Sequence, residues 1–330
     1  MHRVNKNSPS PVALKAVLSA VLLFLSVFHF APQASAQAYG QLLAAAPSVE
    51  IPYAPAPDHA TVYSPAPGLN VYFLSVGQGD SIYIELPGGQ TTLIDGGPSG
   101  AADGPLAQFL AAKKVTRIDH VVLTHPHSDH YNGLPYVFSN ISVGDFYDTR
   151  MDNKGATGDD TLRAQVKALN IPTFYPAAGD HLAWGNGGLD VKVFNSCSNP
   201  VASTNSNAIN NCSIMLKLSY QNASLLLTGD TQNDAEARLV ATYGAELKAD
   251  VLKVGHHGSK YSSTDVFLNA VKPARAYIEV GKNNYGHPTQ GALDRLQKSG
   301  AKIFRTDLDG TQEFTVPGSS QPVELPARKV

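Results

Sequence analysis

Ile118-Asp119-His120-Val121-Val122-Leu123-Thr124-His125-Pro126-His127-Ser128-Asp129-His130 is an apolar run about one strand long that ends in three imidazoles and a carboxylate packed into six residues. Four of the 11 histidines of this 330-residue chain fall between positions 120 and 130. One turn of irregular chain can aim His125 and His127 at one metal ion, while Asp129 and His130, at a helix start, aim at a second ion close by. A polar surface loop is the plain alternative, and so high a density of histidine directly after a buried strand speaks against it. His120, inside the apolar run, reads as a strand histidine facing solvent or a helix. His59 and His181 carry no assignment.

The pattern recurs outward from this stretch. Thr91-Thr92-Leu93-Ile94 runs into Asp95-Gly96-Gly97, Ser224 to Thr228 into Gly229-Asp230, Val251 to Val254 into Gly255-His256-His257-Gly258-Ser259, and Ala276 to Val280 into a loop ending Gly286-His287-Pro288. Between them lie helical stretches at Pro105 to Lys113, Thr161 to Leu169, Asp234 to Tyr243, Ser263 to Val271 and Gln290 to Lys298. Alternating strands and helices imply an α/β chain with helices layered on sheet. Polar strand ends can then lie along one edge and share a site. Asp230, closing an apolar strand, can bridge two cations through its two oxygens, and Gly229 lets the backbone come close; alone, Gly-Asp is also a common turn. Of the two adjacent histidines, His257 stands just before the Gly258 turn and is favoured as a ligand, leaving His256 to pack or to meet substrate.

The flanks are of a different texture. His2, Arg3, Lys6 and Lys15 precede the uncharged run Ala16 to Ala31, and Ala34-Ser35-Ala36 supplies small residues, the layout of a secretory signal over residues 1–36. The run is shorter than the roughly 20 residues that span a bilayer, so a cleaved signal is preferred to a retained anchor. Export to a periplasm or to the medium follows, with no membrane span after cleavage. The 25 Lys+Arg against 27 Asp+Glu give a net charge of −2, which loss of Arg3, Lys6 and Lys15 moves to −5. Such a balance excludes a protein that holds nucleic acid by bulk charge. Residues 37–68, with six scattered prolines, read as a linker or surface strap, 69–316 as one domain, and 317–330 as a frayed tail. The two cysteines, Cys197 and Cys212, bracket an Asn/Ser-rich loop. In an exported chain a disulfide worth about 3 kcal/mol is the favoured reading, ahead of two plain thiols or a pair of metal thiolates.

Six spaced motifs carry a resemblance. They are Val76-Gly77-Gln78-Gly79-Asp80-Ser81, Leu93-Ile94-Asp95-Gly96-Gly97, Leu123 to His130, Leu227-Thr228-Gly229-Asp230, Leu252 to Lys260, and Tyr285-Gly286-His287-Pro288. In this order they resemble the metallo-β-lactamase superfamily, and more narrowly the soluble hydrolase domain of ComEC-type competence proteins. The resemblance implies a four-layer αβ/βα sandwich, two mixed β-sheets face to face with helices outside. It implies a divalent cofactor, one or two zinc ions, with His125 and His127 on the first metal, Asp129, His130 and His257 on the second, and Asp230 bridging. Asp95 would buttress the histidine loop, with Asp80 in a similar supporting part. The superfamily's further histidine, third ligand of the first metal, has no counterpart here. Asn210-Asn211-Cys212-Ser213 stands in its place, leaving Asn211, Asn210 or water to fill the gap and making a weaker first site, or manganese, credible.

A water acidified by such a site to a pKa of about 7, oriented by Asp129 and Asp230, would attack a phosphorus or carbonyl centre. His287 would contact or protonate the leaving group, or else serve as a structural turn residue. Ser259 and Lys260 would bind a phosphate near the helix start at Ser263, a plain N-terminal cap being the alternative. The leading expectation is a secreted phosphodiesterase or nuclease acting on a small-molecule or phosphodiester substrate, nucleic acid included, without tight nonspecific DNA binding. A carboxylic ester, lactone or amide hydrolase and a noncatalytic binding protein are the competing readings.

Overall fold

Large apolar side chains alternate with a period of two along the strands, and that alternation builds three stacked cores. The computed structural model describes residues 62–65, 68–185, 187–318 and 320–323. In strand Leu69–Phe73, Leu69, Val71 and Phe73 enter one core and Tyr72 another. In strand Ala223–Leu227, Leu225 and Leu227 enter the first of these and Leu226 a third. The shared core lies between two sheets. One sheet has the order Gln312–Val316, Leu69–Phe73, Ile82–Glu85, Thr91–Ile94, Arg117–Val122, Ser142–Tyr147, Thr173–Phe174. The other runs Lys302–Arg305, Arg275–Ile278, Val251–Lys253, Ala223–Leu227, Met215–Tyr220, Leu189–Asn195.

Helices cover both outer faces. Leu106 and Leu110 of helix Pro105–Ala112, Val137 of Leu134–Asn140 and Leu162 of Gly158–Ala168 seal the first sheet. Leu239 of helix Asn233–Tyr243, Phe267 of Asp265–Val271 and Leu296 of Gln290–Lys298 seal the second. The result is the expected αβ/βα sandwich with mixed sheets. Thr91–Ile94, Arg117–Val122 and Ser142–Tyr147 are mutually parallel in one sheet, as are Ala223–Leu227, Val251–Lys253, Arg275–Ile278 and Lys302–Arg305 in the other. Their C-terminal ends, where ligands gather in parallel sheets, carry the polar clusters.

Three expectations are corrected. The helix foreseen from Ser263 begins at Asp265, because Ser263 is left-handed (φ 53) and Thr264 caps the helix by accepting from the Phe267 N–H. Part of the expected strap and part of the expected frayed tail pair with each other: Val62–Pro65 and Ser320–Val323 form an antiparallel ladder. His120 faces neither solvent nor a helix; it is buried and stacks on Trp184 at a ring distance of 5.2 Å. The expected signal segment, residues 1–36, lies outside the described residues, and among those no helix is long and apolar enough to cross a membrane. Cys197 and Cys212 are joined as a disulfide, their Cα atoms 5.0 Å apart.

Candidate metal centre

Each polar strand end delivers a side chain to one place. Arg117–Val122 leads into the turn that carries His125 and His127, and the short helix Ser128–Tyr131 then presents Asp129 and His130. Ala223–Leu227 leads to Asp230 through Gly229, whose φ is 52 and whose missing Cβ would stand 2.8 Å from the Ser213 Cβ. That close approach is what glycine permits. Val251–Lys253 leads to His256 and His257, both left-handed with φ 48 and 52. Two consecutive non-glycine residues in this region cost on the order of 1–3 kcal/mol each, and such strain collects at functional sites. Here it turns both imidazoles toward Asp230.

Asp230 Oδ2 is the centre of the cluster. It lies 3.3 Å from His130 Nε2, 3.5 Å from His257 Nε2, and 3.8 Å from Nε2 of both His125 and His256. His257 Nε2 is also 3.5 Å from Asp129 Oδ2, and His125 Nε2 is 3.0 Å from His127 Nδ1. Ligand atoms around a tetrahedral ion with bonds of 2.0–2.1 Å stand about 3.3 Å apart, so these spacings suit a bound cation. Asp129, its side chain 30% exposed, is the acid of the set that reaches the open side.

The outward-facing ring nitrogens fix the tautomers. His130 Nδ1 donates to Asp95 Oδ2 at 2.8 Å, and Asp95 also accepts from the Thr124 N–H at 2.8 Å and the Thr124 hydroxyl at 2.6 Å. With its proton committed to Asp95, Thr124 Oγ1 accepts from His125 Nδ1 at 3.1 Å. His257 Nδ1 donates to the backbone carbonyl of Glu279 at 2.7 Å. His125, His130 and His257 therefore carry their protons on Nδ1 and turn Nε2 lone pairs inward, the second-layer hydrogen bonding typical of metal-binding histidines. His256 has the opposite arrangement: Gln232 Nε2 donates to its Nδ1 at 2.9 Å, which places the ring proton on Nε2. Nε2 of His130 and His257 and Oδ1 of Asp230 are buried without a hydrogen-bond partner. Buried polar atoms are normally paired; inward-facing orphans on this donor set fit a metal ion. Asp95 lies behind the histidine loop, joined to it through Thr124 and His130.

Asp80 stands behind His257. Its carboxylate is 3.2 Å from His257 Nδ1 and ion-pairs with Lys253 Nζ, which is fully buried. Glu279, also buried, accepts from the Ser81 N–H at 3.0 Å. Lys253 and Glu279 carried no role in the sequence reading. Their only signal was a charged residue inside an apolar strand run, Lys253 within Val251 to Val254 and Glu279 within Ala276 to Val280.

The Asn-rich loop resolves one expectation against Asn211. Its Oδ1 accepts from the Gln232 N–H at 2.9 Å and is committed there. Asn210 is 1% exposed, its side chain reaches His127, and its Oδ1 has no hydrogen-bond partner. The phosphate cradle expected at Ser259 and Lys260 is also corrected. Ser259 is buried with its hydroxyl accepting from the Tyr261 N–H at 3.3 Å, and the amides of Ser263 and Thr264 donate to the Glu236 carboxylate. The two amides at the helix start are thus already used. Lys260 extends over the Tyr261 ring, 4.9 Å from its centre. His287 borders the cluster, its ring 5.1 Å from His256 and 6.5 Å from His257.

The electrostatics divide the cluster in two. Burial, helped by the neighbouring His130, lowers His125 and His127 and keeps them neutral. Burial would also lower His257, but Asp230, Asp80 and the hydrogen bond with Asp129 push it up to about 10. His130 is likewise raised well above the usual imidazole range, against burial, by Asp230, Asp95 and Asp129. Asp230, despite burial, is held well below the carboxylate range by His257, His130 and His256. The carboxylates thus call for positive charge at the centre, and a divalent cation supplies it in place of imidazole protons. His287 is pushed down to about 4 by burial and by His256 and His257.

Residues 74–189 match the family model described as the metallo-beta-lactamase superfamily. Competence protein ComA of Neisseria gonorrhoeae is 34% identical over 242 residues, which cover 72% of this chain and 31% of that protein. The chain therefore spans about a third of that relative's length. Ribonuclease Z of Staphylococcus saprophyticus subsp. saprophyticus is 31% identical over 85 residues, 24% of this chain and 28% of that protein. The crystal structure of the metallo-beta-lactamase fold protein YhfI from Bacillus subtilis superimposes with a TM-score of 0.51 at 8% identity, over 76% of this chain and 100% of that one. Four layers and a His/Asp cluster at the shared sheet edge agree with that match, and the matched residues 74–189 carry the metallo-beta-lactamase domain, with side chains able to hold a divalent metal. The chain carries a domain similar to part of the competence proteins.

Proposed function

We propose that this chain is an exported metal-dependent phosphodiesterase. The observation that carries the reading is the ring of inward Nε2 lone pairs around Asp230, with every opposite nitrogen of His125, His130 and His257 engaged. One ion would be held by His125, His127, Asp230 and the Asn210 carboxamide, and a second by Asp129, His130, His257 and Asp230. A carboxamide oxygen is a harder and weaker donor than imidazole, so the first site is the weaker and accepts manganese as well as zinc. When bound, the ions supply Lewis acidity and lower the pKa of water toward neutrality. His256, with its proton on Nε2, donates toward Asp230 and substrate and is not a ligand.

The chain's own residues do the rest. Asp129, reaching the open side, accepts a hydrogen bond from the attacking water and sets its direction. Asp230 is buried and fixes the spacing of the imidazoles around it. His287, half-buried at the rim and held neutral, donates a hydrogen bond to an oxygen of the leaving group. The ribonuclease named among the relatives acts on phosphodiesters, which favours phosphorus over carbonyl as the centre attacked. Export is supported by the signal-like sequence of residues 1–36 and by the Cys197–Cys212 disulfide, which persists in oxidising compartments.

The test is a panel of bis-p-nitrophenyl phosphate, single-stranded DNA and p-nitrophenyl esters, offered to metal-analysed protein with and without chelator. Phosphodiester turnover that chelator abolishes is expected. Turnover of esters alone would replace the phosphodiesterase reading with that of a carboxylic ester hydrolase, and silence on all substrates with metal bound would contradict hydrolysis itself.

A further inference from the structure

Tyr285 is 73% exposed, the most exposed of the large apolar side chains among the described residues, and it stands on a loop that is anything but loose. Asn283 staples that loop. Its Oδ1 accepts from the Tyr285 N–H at 3.0 Å and the His287 N–H at 3.1 Å, and its Nδ2 donates to the carbonyls of Gly281 and His287, both at 2.8 Å. The backbone under Tyr285 is pinned while its ring packs against no core. The ring lies 5.7 Å from that of His287 with 32° between the planes, and His287 in turn lies 5.1 Å from His256. Aromatic rings thus lead from the metal centre out to one free, rigidly presented face.

We propose that Tyr285 is the platform on which an unpaired nucleobase stacks beside the scissile phosphate, so that the substrate class is a single-stranded nucleic acid. This deepens the phosphodiesterase reading and rests on it. A chain of net charge −2 has little nonspecific hold on a phosphate backbone, whose binding depends on neutralised phosphates. Stacking needs no net charge, tolerates any base, and gains from a platform whose backbone is already ordered. A base held within a duplex has no free face to offer, which sets the strand requirement.

The experiment compares an oligothymidylate with an oligomer of equal length built from abasic tetrahydrofuran nucleotides, using the wild-type metalloprotein and Tyr285→Ala. The wild type is expected to favour the base-bearing strand by at least about fivefold in kcat/KM, chiefly through KM. Tyr285→Ala is expected to bring the base-bearing strand down to the wild type's abasic value with an unchanged Tm, and Tyr285→Trp to restore the preference. Equal wild-type cleavage of the two strands, or a Tyr285→Ala loss equal on both, would overturn the platform while leaving the phosphodiesterase reading intact. No cleavage of either strand by metal-loaded protein would overturn both.

Discussion

A ligand histidine and its neighbour are told apart here by one proton. His257 Nδ1 meets a backbone carbonyl and can only donate, whereas His256 Nδ1 meets a carboxamide N–H and can only accept. His257→Ala is therefore expected to remove about one metal equivalent by elemental analysis. His256→Ala is expected to retain the metal and lose turnover. Neighbouring asparagines divide in the same way. Asn210→Ala should weaken metal binding at the first site with little change in stability. Asn211→Ala should leave metal binding in place but strand the buried Gln232 N–H, a cost of about 1–3 kcal/mol readable by denaturant unfolding. Matching metal losses in the two asparagine variants would dismiss Asn210 as a donor. At this scale the sequence disclosed which residue types gather, because imidazoles and carboxylates at strand ends have few structural uses. It favoured His257 for its place before Gly258, but which of the two rings keeps a lone pair on the nitrogen facing Asp230 is set by partners as distant as Gln232 and Glu279.

The strand Val251–Lys253 shows how an element can serve the site from behind. Its fully buried Lys253 neutralises Asp80, and Asp80 faces the ring nitrogen of His257. Lys253→Met would leave that carboxylate buried and unpaired, an expected loss of about 3–5 kcal/mol in denaturant unfolding, with metal affinity falling as His257 loses its support. A variant of wild-type stability and affinity would show the ion pair to be dispensable. The loop closed by Cys197–Cys212 carries the helix Ser206–Asn210 and so positions the Asn210 donor. Replacing both cysteines with serine is expected to cost about 3 kcal/mol and to loosen the first site more than the second, as metal titration would read. The strands that end in the site were legible because their apolar, β-branched runs stop abruptly at Asp, His or Gly, whereas Ser142–Tyr147, Leu189–Asn195 and Met215–Tyr220, which end in no such cluster, were not assigned. Lys253 was hidden by the opposite circumstance: a single charge in an apolar strand looks like noise until Asp80, far away in sequence, is seen beside it.

At the level of the whole molecule the two sheets are both required, because each supplies half of the centre. His125, His127, Asp129 and His130 come from the end of one sheet, and Asp230, His256 and His257 from the end of the other. Phe73 of the first sheet stacks on Tyr277 of the second at 4.2 Å, so the core that joins the sheets also sets the distance across the site. Asp230 is where the halves meet, and the measurement that bears most directly on it is hydrolysis of bis-p-nitrophenyl phosphate by metal-analysed wild type and Asp230→Asn of matched Tm. Wild-type turnover that chelator removes and metal restores is expected. Asp230→Asn should lose more than the roughly 10- to 100-fold that follows loss of a group behind a metal ligand. Full turnover by Asp230→Asn, or wild-type turnover that survives removal of the metal, would contradict a hydrolytic centre built around this carboxylate.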